Sequence, residues 1–492
     1  MKNNLISEFS SFSTTISCTT NLWTDHNKLS FICVTAHFID SSWVLHKKII
    51  AFRMIEYPNS TTHIFQCIMT ILKEYEVIDK IFSITFDNHI ANNATIEMFT
   101  HNLHPSHSGQ FFHGKCVCHI INLIMQDSLK LIEEHIEKIR YAILFITSSP
   151  ISQQEFFHLC KTYGLNPRKF KSDIKTRWNS TFLMLQSCVK HHEVITNFIN
   201  AKYDDTILST NNWDLAFIFL EFLEVFYNAT NICSRVYYPT SCIDLNQLYN
   251  ISNIFSTYRE NVIFANICKV MEEKFIKYWE HIPPIFCLAT VMDPRIKLFG
   301  VELLLNGISK NLNTSLHITI DDVNISLTSI YKTYESKYAN NTRNTLSLSS
   351  SNSDPASSLL AEYRKQMSSV NSSSRTELHK YLETNFTDLF TNEEIENFDI
   401  LKWWKTYERF FSVLSIMAHD LLTLPAFTVA LESAFSAGNK VLNEKRSRLT
   451  PEILDCLTCM KDWEDARLRS QSWKDDMVED FENLDICNGS KD

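Results

Sequence analysis

The order of hydrophobic patterns predicts an α/β domain in the amino-terminal part of the chain, a large all-α insertion that interrupts it, and an α-helical carboxyl-terminal block. Two observations carry this reading. Up to about Ile120, short runs of β-branched and aromatic residues alternate with polar turns and two helical stripes. From there to Met417 the periodicity is that of long helices, as in Trp213 to Tyr227 and Ile263 to Trp279.

The elements follow in order. Ile16 to Thr20, Leu29 to Ile39 and Trp43 to Phe52 are expected strands, separated by the polar stretches at 24–28 and 40–42. Ile64, Ile68, Ile71 and Leu72 then form a helical stripe, with Ser60 as its cap. Lys80 to Phe86 reads as a strand that ends at Asp87, Ala91 to Thr100 as a helix, and Phe111 to Cys118 as a last strand. Ala339 to Arg375 is rich in Ser and Asn with little periodic apolar signal, so it is expected to be a flexible excursion. Beyond it Trp403, Tyr407, Phe410, Leu414, Met417 and Leu421 recur at helical spacing, with Trp404 and Phe411 beside them. The expected boundaries are 1–130 for the first part of the α/β domain, 131–375 for the helical insertion with its flexible 339–375, 376–465 for the carboxyl-terminal block, and 466–492 for a tail.

With 492 residues and 45% hydrophobic content the chain is globular and can bury a large core. Its 14 cysteines form no compact disulfide framework, and the first residues lack a signal peptide's apolar core, so reduced thiols in an intracellular protein are expected. No apolar run approaches the ~20 residues of a membrane span, and seven glycines leave no phosphate-binding loop, so neither a membrane nor a nucleotide cofactor is expected. The net charge of −10 is uneven: from Asp462 onward ten acids face four bases, whereas Lys161 to Arg177 holds six bases and the single acid Asp173. That cationic segment suits either a nucleic-acid contact or a solvated loop.

Short motifs converge on one family. The stretch from Leu424 to Arg448, Leu-Pro-Ala-Phe-Thr-Val-Ala-Leu-Glu-Ser-Ala-Phe-Ser at its start, resembles the carboxyl-terminal dimerisation block of hAT transposases, the family named for hobo, Activator and Tam3. Thr19-Thr20-Asn21-Leu22-Trp23-Thr24 is similar to that family's Thr-Thr-Asp-Leu-Trp-Thr, Cys116-Val117-Cys118-His119 to its Cys-x-x-His, and Arg177-Trp178-Asn179-Ser180 to its Arg-Trp-Asn-Ser. Asp293-Pro294-Arg295 and Phe398 through Lys405 are also family-like. The resemblance implies a ribonuclease-H-like domain, action on DNA in the nucleus, and a homodimer or higher homo-oligomer. It places the three catalytic positions at Asn21, Asp87 and Glu432, of which Asp87 and Glu432 would bind Mg²⁺ or Mn²⁺ in an active enzyme.

Two-metal phosphoryl transfer requires carboxylates converging from separate elements, because hard divalent ions prefer charged oxygen ligands. Asn21 offers one neutral carbonyl oxygen instead. Asp25 lies four residues further on, about 13 Å along a strand, too far to replace it. The expected function is therefore a DNA-binding, dimerising protein of impaired catalysis, with an active transposase or a protein-interaction scaffold as the other readings. Lys169, Lys171, Lys175, Arg177 and Trp178 are the expected DNA contacts, the tryptophan being equally readable as core, and Trp403, Trp404, Phe410, Leu414 and Phe435 the expected dimer contacts. Cys116 and His119 support the core in the family. With His113 and Cys118 they suggest zinc, but strand alternation would point His119 away from the two cysteines. The family's BED zinc finger is not expected, since the Asn21 motif lies close to Met1.

Overall fold

The computed structural model describes residues 1–11, 14–24, 29–55, 60–86, 93–103, 112–171, 173, 178–203, 207–235, 237–346, 376–384, 397–425 and 450–468. Its sheet has five strands, β1 (Ile16–Thr24), β2 (Ser30–Ile39), β3 (Leu45–Ile55), β4 (Ile81–Phe86) and β5 (Phe112–Lys115), in the order β3-β2-β1-β4-β5. The first three are antiparallel neighbours joined by short connections, while β4 and β5 run parallel to β1. Parallel partners need crossovers, and helices supply them. Strand order and directions are those of the ribonuclease-H-like domain that the sequence led us to expect.

Helices α1 (Lys2–Ser11), α2 (Thr61–Glu74) and α3 (Asn93–Asn102) cover one face of the sheet. Ile16, Cys18, Ile32, Val34, Ile84 and Phe86 meet Phe9, Ile68, Ile71 and Phe99 there in one apolar core. The α2 stripe is buried as its spacing requires, and Ser60 caps the helix by accepting the His63 N–H at 3.3 Å.

The helical insertion comprises α4 (Val117–Leu131), α5 (Glu133–Thr147), α6 (Pro150–Thr162), α7 (Trp178–Cys188), α8 (His192–Tyr203), α9 (Thr210–Cys233), α10 (Asp244–Tyr258), α11 (Ala265–Trp279), α12 (Pro284–Val291), α13 (Lys297–Leu312) and α14 (Ile320–Leu346). By length and composition α9 could cross a membrane; here its Trp213, Phe219, Phe222 and Phe226 lie inside the helical core. Two expectations are corrected. The last strand stops at Lys115, and Cys118 and His119 belong to the first turn of α4, because β5 needs only the four residues that pair with β4. Helix α14 runs past Ala339 to Leu346 despite the weak pattern there, since Val323, Leu327, Ile330 and Tyr334 anchor the turns before it and propagation from a packed helix costs little. The rest of the Ser/Asn-rich stretch, 347–375, lies outside the described residues.

The carboxyl-terminal block contributes α15 (Glu377–Glu383), α16 (Ile400–Tyr407), α17 (Leu414–Leu422) and α18 (Pro451–Leu468). The aromatic stripe thus spans two helices rather than one. Glu377 causes the break: its carboxylate accepts the Val413 and Leu414 N–H groups at 2.9 and 3.0 Å and the Ser412 hydroxyl at 2.8 Å, which starts α17 afresh. Helix α18 lies along β3, with Phe31, Cys33, Ile49 and Phe52 packed on Leu454 and Cys459.

Candidate functional site

Opposite the α1–α3 face, the sheet presents polar side chains that are nonetheless buried. Ser17, Thr19, Asn21, Thr35, His37, Ser83 and Thr85 are all at most 7% exposed. Alternation along β1 puts 17, 19 and 21 on this side, because 16 and 18 belong to the apolar core. The layer is tied together internally: the Ser83 hydroxyl donates to Ser17 Oγ at 2.8 Å, and Thr19 Oγ1 lies 3.1 Å from His37 Nε2. Burial, with Lys47 adding to it, pulls His37 down to about 3, so the imidazole is neutral in the folded chain.

The carboxyl-terminal segment reaches this layer twice. Thr85 donates its hydroxyl to the Pro425 carbonyl at 2.8 Å, and the Thr15 N–H donates to Asp420 Oδ1 at 3.1 Å. The other Asp420 oxygen accepts the Tyr334 hydroxyl at 2.6 Å, so one fully buried carboxylate joins α17, α14 and the start of β1. Gly114 makes room for the first link. A Cβ there would come within 2.3 Å of Thr85 Oγ1, so a larger residue would have to displace the Thr85 side chain from this link.

Asn21 sits one residue beyond the last β1–β4 pair, Thr20 with Phe86, where β4 ends and β1 runs on paired with β2. Asp87 follows Phe86 in the chain, and Glu432 lies seven residues after Pro425; both, like Asp25, are outside the described residues. Among the described residues no group of three or more His, Cys, Asp or Glu side chains is placed to hold a metal ion. At position 21 the side chain offers one neutral amide oxygen in place of a charged carboxylate.

Comparison with known proteins gives the same answer along most of the chain. Residues 19–111 match the ZBED1 RNase-like domain, 114–222 its helical domain, 244–334 the hAT-like transposase RNase-H fold, and 377–464 the hAT family C-terminal dimerisation region. The chain belongs to the hAT transposase family. The residues of the third match lie here in α10 through α14, beside the sheet rather than in it. A putative AC transposase from Zea mays is 28% identical over 98% of this chain and 61% of its own length. The zinc finger BED domain-containing proteins RICESLEEPER 2 and 3 of Oryza sativa subsp. japonica are each 30% identical over 94% of this chain, covering 66% and 63% of theirs. The chain therefore spans between three fifths and two thirds of the length of these relatives.

Within the hAT framework the cationic segment is built around two anchors. Phe170 is buried against Phe156 and His191, so Arg168, Lys169 and Lys171 on either side are held at the surface. Asp173 accepts Arg140 Nε at 2.6 Å, the Ser180 hydroxyl at 2.8 Å and the Thr181 hydroxyl at 2.9 Å. The segment's single acid is thereby consumed inward, by an arginine 33 residues away that the sequence reading missed. Trp178 is 1% exposed at the start of α7, inside the helical core, and so takes the core role rather than the DNA-facing one. Lys175 and Arg177 lie outside the described residues.

Two further groups of expected residues lie in the packed interior. Cys116 is buried at the start of α4 and its neighbour Cys118 lies within hydrogen-bond reach of the Thr230 carbonyl, so the Cys-x-x-His motif joins β5 to α9. Trp403, Trp404 and Leu414 do not form a free surface: Trp404 donates its indole N–H to the Met292 carbonyl at 2.9 Å and stacks with Trp43, and all three lie in the helical core. Sequence periodicity finds an apolar stripe but cannot say whether its partner is the same chain. Phe410 is 36% exposed, and Phe435 is outside the described residues.

Proposed function

We propose that this chain is a DNA-binding, self-associating hAT-type protein that acts in the nucleus and whose strand-cleavage centre is impaired. The observation that carries the proposal is Asn21, buried on β1 just past the end of β4, where the family resemblance calls for the first catalytic carboxylate. Removing that charge weakens the field that would hold two divalent ions, so the Mg²⁺ or Mn²⁺ that the family resemblance implies would be held less tightly by this chain. DNA affinity would come from the surface cations around Phe170, and so would be mainly electrostatic. Self-association is supported by the match of residues 377–464 to the family's dimerisation region.

The test is a strand-nicking assay on the full chain with Mg²⁺ or Mn²⁺, beside Asn21→Asp, with duplex binding followed over a salt series. Expected are no nicking by the native chain, tighter divalent-ion binding by Asn21→Asp, and DNA binding that falls steeply with salt. Metal-dependent nicking by the unaltered chain would overturn the proposal in favour of an active transposase.

A further inference from the structure

A cleft of about 620 Å³ opens where four parts of the chain meet: the β2–β3 turn, the connection from α9 to α10, the connection from α12 to α13, and the start of α16. It lies past Ile39 at the end of β2, six residues along that strand from Cys33, the partner of Asn21. At about 3.4 Å per residue the cleft is roughly 20 Å from position 21, so it is separate from the cleavage centre. The chain carries a net charge of −10, yet this lining sets Arg235, Arg295, Lys402 and Lys405 against only Asp293 and Asp399, a surplus of two positive charges. Both acids are already engaged. Asp293 accepts Arg295 Nε at 2.9 Å and Nη2 at 2.6 Å, while Asp399 caps α16 by accepting the Leu401 and Lys402 N–H groups at 3.0 and 3.1 Å. Aromatic rings stand beside these cations. The Arg295 guanidinium lies 4.4 Å from the centre of the Phe398 ring, and Tyr237 and Tyr238 are half-buried in the α9–α10 connection. Trp43, also in the wall, is held at a φ of 62°, in the left-handed region that bulky side chains avoid. Asp40 holds that turn, its carboxylate accepting the Ser42 and Val44 N–H groups at 2.8 and 3.0 Å. Backbone kept in such a conformation by its neighbours gathers at ligand sites.

We propose that this cleft binds a nucleoside monophosphate unit, its base among the aromatic rings and its phosphate among Arg235, Lys402 and Lys405. A concave site of this volume suits a molecule of nucleotide size rather than a folded partner. A phosphomonoester brings a charge of about −1.5 to −2 at pH 7, which answers the surplus of the lining. Stacking on aromatic side chains holds the base and tolerates any of the four. An acidic peptide supplies charge without the ring, and leaves the aromatic wall without a role. The sequence has no glycine-rich loop, so the phosphate is gripped by side chains and not by a cradle of backbone N–H groups. A free nucleotide and the terminally phosphorylated end of a DNA strand present this same chemistry. The inference goes beyond the DNA contact proposed above and does not rest on it.

The experiment is titration calorimetry on the full chain, with dAMP, inorganic phosphate, and a short single-stranded oligonucleotide with and without a terminal phosphate as probes. Expected is binding of a phosphorylated nucleotide probe that Lys402→Glu and Lys405→Glu each weaken several-fold and Lys405→Arg preserves. Both lysines are exposed, so these variants test the site without disturbing the core. Tyr237→Ala should weaken binding by about fivefold or more and Tyr237→Phe should not, because the ring is what stacks. If dAMP binds and the terminal phosphate adds nothing to the oligonucleotide's affinity, the ligand is a free nucleotide. If the terminal phosphate tightens the oligonucleotide and Lys405→Glu removes that gain, the ligand is a strand end. Inorganic phosphate binding as tightly as dAMP overturns the proposal, since the site then reads charge alone. So does displacement of dAMP by a glutamate-rich peptide at equal concentration, which points to an acidic protein partner. Absence of binding by both phosphorylated nucleotide probes, or binding indifferent to the lysine and tyrosine changes, also overturns it. The nicking and duplex-binding results of the preceding proposal are read separately and stand either way.

Discussion

The carboxyl-terminal part of the chain closes onto the sheet at two places, and it does so differently. At β1 and β4 the closure is internal: Asp420 and Pro425 accept hydrogen bonds from Thr15, Tyr334 and Thr85 with every group buried. At β3 the closure is peripheral. Asp455 and Asp462 take up N–H groups that an edge strand would otherwise expose, Trp463 returns its indole N–H to the Ile49 carbonyl at 2.8 Å, and Lys47 pairs with Asp462 at 3.2 Å. An uncovered edge is a template for unwanted pairing, so a helix offering carboxylates both satisfies and blocks it. The difference teaches that the first closure fixes where the segment leading to Glu432 begins, while the second protects the sheet and leaves an outer surface available.

Breaking the internal closure should have the largest effect. Asp420→Ala leaves the Tyr334 hydroxyl and the Thr15 N–H buried without their acceptor, and a loss of about 3–5 kcal/mol in denaturant unfolding is expected. Tyr334→Phe, which removes one donor, should cost less than half of that. If Asp420→Ala unfolds at the native midpoint, the internal closure is not the one that holds the block. Asp462→Ala tests the peripheral closure: it strips Lys47, itself 5% exposed, of its carboxylate and frees the Ile49 N–H, for an expected loss of about 1–3 kcal/mol. Because the edge is then open, its signature should be concentration-dependent aggregation, which Asp420→Ala at matched stability should not share.

Acid acts on the sheet through two buried histidines, His37 on β2 and His113 on β5. Burial lowers His37 to about 3 and His113 to about 4, below the ordinary value of 6.5. In the unfolded chain both take protons that the folded chain refuses. Stability is therefore fully present above about pH 6.5 and is lost as pH falls toward 4 and 3, by at most about 1.4 kcal/mol per pH unit for each histidine. Urea midpoints measured from pH 7.5 to 5 should decline, and His37→Gln should flatten the decline; an unchanged slope would remove His37 from the account. The smallest change in stability, about 1–2 kcal/mol, is expected of Gly114→Ala, which displaces Thr85 and releases the Pro425 carbonyl. Its effect should be local, with faster amide exchange in the residues beside Pro425 and little change at α18.

Much of the sheet was legible in the sequence, because a strand with one apolar face must alternate, and its period identifies it without reference to a partner. The order of β1 to β5, the cap at Ser60 and the turn of the pattern toward helices beyond Ile120 were all read in this way. Position 21 was legible for a different reason: a motif fixes residue identity, and Asn in place of Asp is visible in one letter. What the sequence could not decide is which chain, or which part of one chain, each apolar stripe meets. Trp403 and Trp404 looked like an interface and are core, Trp178 was balanced between DNA and core and is core, and the modest stripe at Ile453, Leu457 and Met460 passed unnoticed and is exposed. Periodicity reports that a helix has an apolar face; only tertiary structure assigns that face a partner. Nor could it find Asp420, Gly114 or Arg140, since each acts through a residue tens to hundreds of positions away, and pairing at that distance leaves no local signal. Local chemistry determined the elements of this protein, and the folded chain alone decided how its last hundred residues return to the strands at its beginning.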